Sequence, residues 1–179
     1  MKQNVLSLDI ANHTGYAVYK DGKIIDYGAW DLTKHEKGEE PKTHQALADR
    51  VCEIVEKYNI THIVMEDAYF PSNDQDGKYK SYDAGKSLMR KHGVVLLYCE
   101  DHNITYSFVD AWRTKCFMFN AKKTMSRNIL KRAMIVTVEN LGYELPAKHT
   151  DDVADAIGIL CTKLGTFIRN KPNSANKPF

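Results

Sequence analysis

Two short apolar runs, Val5 to Ile10 and Ile63 to Met65, each arrive at a carboxylate, Asp9 in the first and Glu66 at the end of the second. Runs of this length read as buried strands, 4–10 and 61–66. Further strands are predicted at 15–20 and 23–31, joined through Asp21-Gly22, a dipeptide that favours a hairpin turn because it tolerates positive φ. Ala46, Leu47, Val51, Ile54 and Val55 recur at helical spacing, which predicts a helix over 43–58 that stops at Asn59. The charged stretch from His35 to Lys42 reads as a loop, as does Pro71 to Gly77 directly after Glu66. A helix near 80–92 runs into Gly93 and continues through the apolar Val94 to Tyr98, and a strand follows near 104–109. The rest is helical, at 110–117, 124–141 and 150–168, with Gly142 and Pro146 marking the last break.

A hairpin of three strands, then helix, strand, helix, strand and helices, predicts an α/β fold with a sheet of mixed direction. Ligands of such sheets gather at strand ends, so a last helix packed across the exits of the first and fourth strands would bring its own acids to Asp9 and Glu66. That helix begins with Asp152 and Asp155, three apart and on one face. Asp151 and Asp155 share a face equally well, so spacing leaves the choice between Asp151 and Asp152 open. A carboxylate taken out of water needs a cation, hydrogen bonds or a proton. Oxygen ligands of this kind suit Mg²⁺ or Mn²⁺, and two ions about 4 Å apart activate a water and stabilise a leaving oxygen in phosphodiester hydrolysis. Each acid has a plainer reading too: Asp9 as a hydrogen-bonded strand terminus, Glu66 or Asp67 as a solvated strand exit, and the Asp151 to Asp155 group as first-turn acids behind a Thr150 cap.

With 179 residues, 43% of them hydrophobic, the chain fills one domain with a real core. The boundaries are expected at 1–169 for the domain and 170–179 for a disordered tail almost without apolar residues. No run approaches the roughly 20 apolar residues of a membrane span and no signal peptide leads the chain, so a cytoplasmic protein without a membrane partner is expected. Cys52, Cys99, Cys116 and Cys161 are widely spaced in apolar settings and read as buried free thiols. The histidines show no zinc-ligand spacing; His149 reads as a cap, a surface residue or a proton carrier. The net charge of +2 is small, yet Ala111 to Val138 contains no acid while holding Arg113, Lys115, Lys122, Lys123, Arg127, Lys131 and Arg132. Such a stretch is either a solvated helix face or a surface for a polyanion.

Three motifs in order, Leu8-Asp9-Ile10 with Thr14-Gly15-Tyr16-Ala17-Val18, Val64-Met65-Glu66 with Tyr69, and Asp152-Val153-Ala154-Asp155-Ala156, resemble RuvC-type Holliday junction resolvases of the ribonuclease H-like superfamily, in their phage branch. The resemblance covers 4–168. It implies a ribonuclease H-like mixed five-stranded sheet flanked by helices. It also implies a homodimer that cuts four-way or related branched DNA in recombination and repair by paired nicks, leaving 5′-phosphate and 3′-hydroxyl ends. Carried over, Asp9, Glu66, Asp152 and Asp155 would be both the catalytic residues and the ligands of two Mg²⁺ ions, with Mn²⁺ as substitute. Lys115 and Lys122 or Lys123 fall where the family has basic residues near the scissile phosphate, Lys123 being the catalytic candidate. DNA contacts are expected from these lysines, Arg113, Arg127, Lys131 and Tyr69, the last by stacking. No nucleotide cofactor is expected. The chain departs from many relatives at Ala11 and Asn12, where they place a glycine, and in the acidic Asp74 and Asp76 of the following loop. A ribonuclease H-like nuclease acting on RNA or hybrids would use the same acids. An actin-like phosphotransferase would need a glycine-rich phosphate loop that this chain lacks.

Overall fold

The computed structural model describes residues 3–33, 43–68 and 80–170, with side chains from 85 onward in the last stretch. The elements are β1 (Val5–Asp9), β2 (His13–Lys20), β3 (Lys23–Asp31), α1 (Thr43–Tyr58), β4 (His62–Glu66), α2 (Lys80–Asp101), β5 (Thr105–Val109), α3 (Ala111–Phe119), α4 (Arg127–Asn140) and α5 (Thr150–Leu164). The sheet order is β3-β2-β1-β4-β5. β1 and β3 run antiparallel to β2, while β1, β4 and β5 are parallel. The expected five-stranded sheet of mixed direction is therefore present. Asp21 (φ 51°) and Gly22 (φ 86°) form the predicted hairpin turn.

Strand alternation divides the core in two. Leu6, Leu8, Val18, Ile63 and Met65 face α1 and α2, packing on Leu47, Val51, Ile54 and Val95. Val5, Ala17, Val64 and Val109 face the opposite side and meet α3, α4 and α5. The period of two carries Asp9, two residues on from Ser7, and Glu66, two on from Val64, to the α5 side. α5 is sandwiched between the sheet and α4: Val153, Ala154, Ala156, Ile157, Ile159, Leu160 and Cys161 are all fully buried. Ser7 Oγ donates to the Ala156 carbonyl (2.8 Å) and fixes the helix along β1.

Several details depart from expectation. α5 ends at Leu164, not 168, because Gly165 takes the left-handed conformation (φ 64°) and its N–H closes on Cys161 and Thr162 carbonyls. α4 starts at Arg127 rather than 124, since Ser126 is extended and breaks the helical run there. The continuation of α2 through Gly93, by contrast, is as expected. Thr150 is not a cap: its hydroxyl donates to the Pro146 carbonyl (2.6 Å), and the capping position belongs to His149. Cys99 and Cys161 are buried free thiols, but Cys52 and Cys116 are only half-buried. Each of those two lies on a helix at the margin of its core, so one side of the thiol stays near solvent. Among the described residues no helix is long and apolar enough to cross a membrane. The loops predicted at 35–42 and 71–77, Tyr69 and Phe70, and the tail beyond Asn170 lie outside the described residues.

Candidate active site

Asp9 ends β1, and Glu66 ends β4 in the adjacent parallel strand. Both are half-buried, whereas Asp67 is exposed, which decides the strand-exit ambiguity in favour of Glu66. α5 reaches them because Gly15 stands opposite Asp9 on β2. A Cβ on Gly15 would lie 1.9 Å from the Asp152 carbonyl oxygen, so the absence of a side chain there is what admits the first turn of α5 against the sheet. That contact sets Asp152 and Asp155 beside the strand exits.

The electrostatics record the crowding. Burial pushes Asp9 well above the carboxylate range, and Asp155, Glu66 and Asp152 add repulsion against a smaller opposing effect of Lys115. Asp155 is pushed up to about 7, again chiefly by burial, with Lys115 opposing and Glu66 and Asp151 reinforcing. Glu66 is raised by burial, against Lys115, with Asp110 adding to the rise. Asp152 is raised by burial and then by Asp151, while His149 and His13 pull it down. Carboxyl groups so arranged cannot all ionise without a cation among them.

Asp151 and Asp152 part ways. Asp151 is ion-paired with Lys131 of α4, which lowers its pKa. Asp152 instead lies 3.3 Å from Nδ1 of His149. Asp9 is raised chiefly by burial and then by Asp155, Glu66 and Asp152 in that order, with Asp152 rather than Asp151 among the charges that act on it. His149 takes a left-handed backbone (φ 59°) and makes no capping hydrogen bond. Its ring lies 4.3 Å, centroid to centroid and tilted by 34°, from that of His13 at the start of β2. His13, His149 and Asp152 together form a group whose spacing would accept a metal ion. Nothing in the sequence spacing of the histidines pointed to this grouping, because His13 and His149 come from opposite ends of the chain.

The basic residues separate in the same way. Lys115, at the middle of α3, is the lysine whose charge acts on all three of Asp9, Glu66 and Asp155. Lys122 and Lys123 lie in the exposed turn between α3 and α4, and Arg113, Arg127 and Arg132 are exposed on the same two helices. Asp110 was not foreseen as part of the site. It follows the apolar end of β5 just as Asp9 and Glu66 end their strands, and it caps α3 by accepting from the Arg113 N–H (2.7 Å). His92, buried in α2, is a second addition: its Nε2 meets the Glu66 carbonyl at 3.0 Å and braces the exit of β4.

The proton balance of the four acids sets a stability prediction. Each binds its proton more tightly folded than unfolded, so the stability they contribute is complete at low pH and lost as pH rises through their raised values, near 7 for Asp155. Asp151, with the opposite shift, is partly exposed and weighs less. The melting temperature of chelator-treated protein is expected to fall between about pH 5 and about pH 8, and added Mg²⁺ to raise it more at the upper end. Equal Mg²⁺ effects at both ends would count against a carboxylate site.

No family model matches the sequence, and no curated protein does. Solved structures do. Thermus thermophilus RuvC in complex with a Holliday junction substrate superposes with a TM-score of 0.63 at 15% identity, over 92% of this chain and 97% of that one. A second Thermus thermophilus RuvC structure gives 0.59 at 14% identity over 92% and 98%. The yeast mitochondrial Holliday junction resolvase Ydc2 gives 0.51 at 18% identity over 90% and 77%. The fold of this chain is that of the RuvC resolvases.

Proposed function

We propose that this protein is a metal-dependent endonuclease that cuts four-way or related branched DNA by phosphodiester hydrolysis. The observation that carries the reading is the convergence of Asp9, Glu66, Asp152 and Asp155 from two parallel strand exits and one buried helix. That convergence occurs in a fold whose neighbours are junction resolvases, one of them solved on a Holliday junction. The donor set is one of hard oxygens with raised proton affinity, which fits Mg²⁺ or Mn²⁺ held by these four side chains. When bound, such ions supply an activated water and neutralise charge on the leaving oxygen.

The chain's own groups account for the rest. Lys115, beside the carboxylates, offsets charge developing on the phosphate; Lys123 or Lys122 would do so only once DNA brings the α3–α4 turn to the scissile position. Arg113, Lys122, Lys123 and Arg127, exposed on α3, α4 and the turn between them, would supply the basic surface for DNA, and Lys131 would contribute beyond its pairing with Asp151. Tyr69 would stack on bases at the branch point. Paired nicks require two such sites, hence a homodimer. The α2 face bearing the exposed Met89 and Leu97 is its proposed interface.

The test is to incubate the protein in Mg²⁺ with labelled four-way, forked and linear DNA and with an RNA–DNA hybrid, mapping nicks on every strand. Paired symmetric nicks on the four-way substrate with 5′-phosphate ends are expected. Hybrid cleavage alone would transfer the chain to the RNA-directed class. Replacing Lys122 and Lys123 together with Ala should weaken binding to all DNA sequences alike and reduce the slope of log affinity against log salt by about 2. An unchanged slope would place the basic surface elsewhere.

A further inference from the structure

Lys91 is a lysine in the interior. It is 2% exposed on α2, and its Nζ donates to Asn12 Oδ1 (2.5 Å) and Ser87 Oγ (3.4 Å), both neutral. Among the described residues no carboxylate forms an ion pair with it. A buried ammonium without a counter-charge is costly, and hydrogen bonds to an amide and a hydroxyl offset only part of that cost. Burial alone accordingly depresses its proton affinity. Among the described residues the charge is therefore held by neutral hydrogen-bonding partners alone.

The place is a cavity of about 570 Å³ between the β1–β2 turn, α2 and the start of α4, lined among others by Asn12, His13, Ser87, Lys91, Arg127 and Asp152. Two cations and several neutral hydrogen-bonding groups thus share one chamber with a carboxylate of the proposed metal site. Asn12 stands where the sequence departs from the glycine of many relatives. In this chain the Asn12 side chain holds the Lys91 ammonium, while its carbonyl accepts from the Leu32 N–H (2.9 Å) and keeps the turn in register.

We propose that this chamber is a phosphate subsite, in which Lys91 and Arg127 bind a DNA backbone phosphate flanking the scissile one. The inference rests on the nuclease reading above and extends it to a lysine, Lys91 of α2, that lies outside the basic α3–α4 stretch. Lys91 fixes the register of the cut strand over the carboxylates, with Asn12 and Ser87 orienting the ammonium. Arg127, exposed at the mouth, closes on the phosphate from the α4 side.

The experiment uses the full chain carrying Asp9→Asn, so that binding is read without cleavage. Labelled four-way and linear DNA are titrated from about 50 to about 200 mM salt, with and without Lys91→Met and Lys91→Arg. Lys91→Met, isosteric and uncharged, should lower the salt slope by about 0.9 on both DNAs, so that its affinity deficit shrinks roughly threefold over that range. Lys91→Arg should keep the parent slope. The melting temperature of Lys91→Met should not fall, because a buried uncompensated charge is removed. An unchanged slope with weaker binding, or a lowered melting temperature with the parent slope, would make Lys91 a brace for the Asn12 turn and overturn the subsite. Should Lys91→Met not fold, Arg127→Ala and the double variant Lys91→Gln/Arg127→Ala are compared, and a double variant with the slope of the single one overturns it equally. Absence of any DNA binding by the Asp9→Asn protein would defeat the nuclease reading itself, and the subsite with it.

Discussion

Asp9→Asn is expected to abolish DNA cleavage, by at least about 10³-fold, while leaving junction binding intact or tighter. Asp9 is the point on which the other acids press: Asp155, Glu66 and Asp152 all raise its pKa. Removing its charge takes away a proposed metal ligand and, at the same time, part of the field that repels phosphate, while the exposed cations of α3 and α4 are untouched. The folded protein should also lose some of its pH sensitivity, since the Asp9 carboxyl, raised well above its ordinary value by burial, no longer titrates. Rates come from single-turnover cleavage of a labelled four-way substrate, and affinities from anisotropy on the same DNA. Cleavage within tenfold of the parent would show that Asp9 is a hydrogen-bonded strand terminus. Lost binding with an intact circular dichroism spectrum would contradict the electrostatic account.

The second large effect is expected at a residue that carries no chemistry. In Gly15→Ala the new methyl would sit 1.9 Å from the Asp152 carbonyl oxygen and 2.4 Å from its carbon, both backbone atoms that cannot rotate away. α5 must then withdraw by about 1 Å or more. The helix is clamped from behind by α4, where even Gly158 lies so near Met134 that a Cβ would approach its sulfur to 3.0 Å. Overpacking of this kind costs about 3 kcal/mol, and a 1 Å displacement of catalytic groups costs about 10²-fold in rate. Denaturant unfolding gives the first quantity and cleavage the second. An Ala variant with parental stability and rate would mean that α5 has slack the packing does not show.

Much of this architecture was legible because it rests on short-range rules. The turn at Asp21-Gly22, the helix over 43–58 and the two strands ending in acids follow from glycine conformation and period-two or period-3.6 burial, and the helix fell within its predicted bounds. The convergence of Asp9 and Glu66 follows from the parallel pairing of β1 and β4, two buried strands that are neighbours in the sheet but not in the chain. What spacing could not decide was which of Asp151 and Asp152 turns inward. That depends on Lys131, a partner on another helix, which draws Asp151 outward. The histidine pair beside Asp152 was equally hidden: His13 and His149 meet only because the β1–β2 turn and the α5 entry are neighbours in space. Lys91 carried a faint signal in the sequence, a lysine preceding an apolar helical run, but its burial belongs to the packing of α2 on the β1–β2 turn.

The position of α5 has a bearing on how this protein can change over time. In most enzymes reactive groups ride on surface loops, which drift freely while a separate scaffold is preserved. Here two of the acids begin the most deeply buried helix among the described residues. Substitutions that loosen the interior near Ile157 or Leu160 are therefore transmitted to Asp152 and Asp155 as misplacement, and neutral wandering of the core is confined to exchanges that keep the helix axis still. On the nuclease reading proposed above, change in which substrate is cut would fall to parts outside that interior, such as the exposed α3–α4 turn.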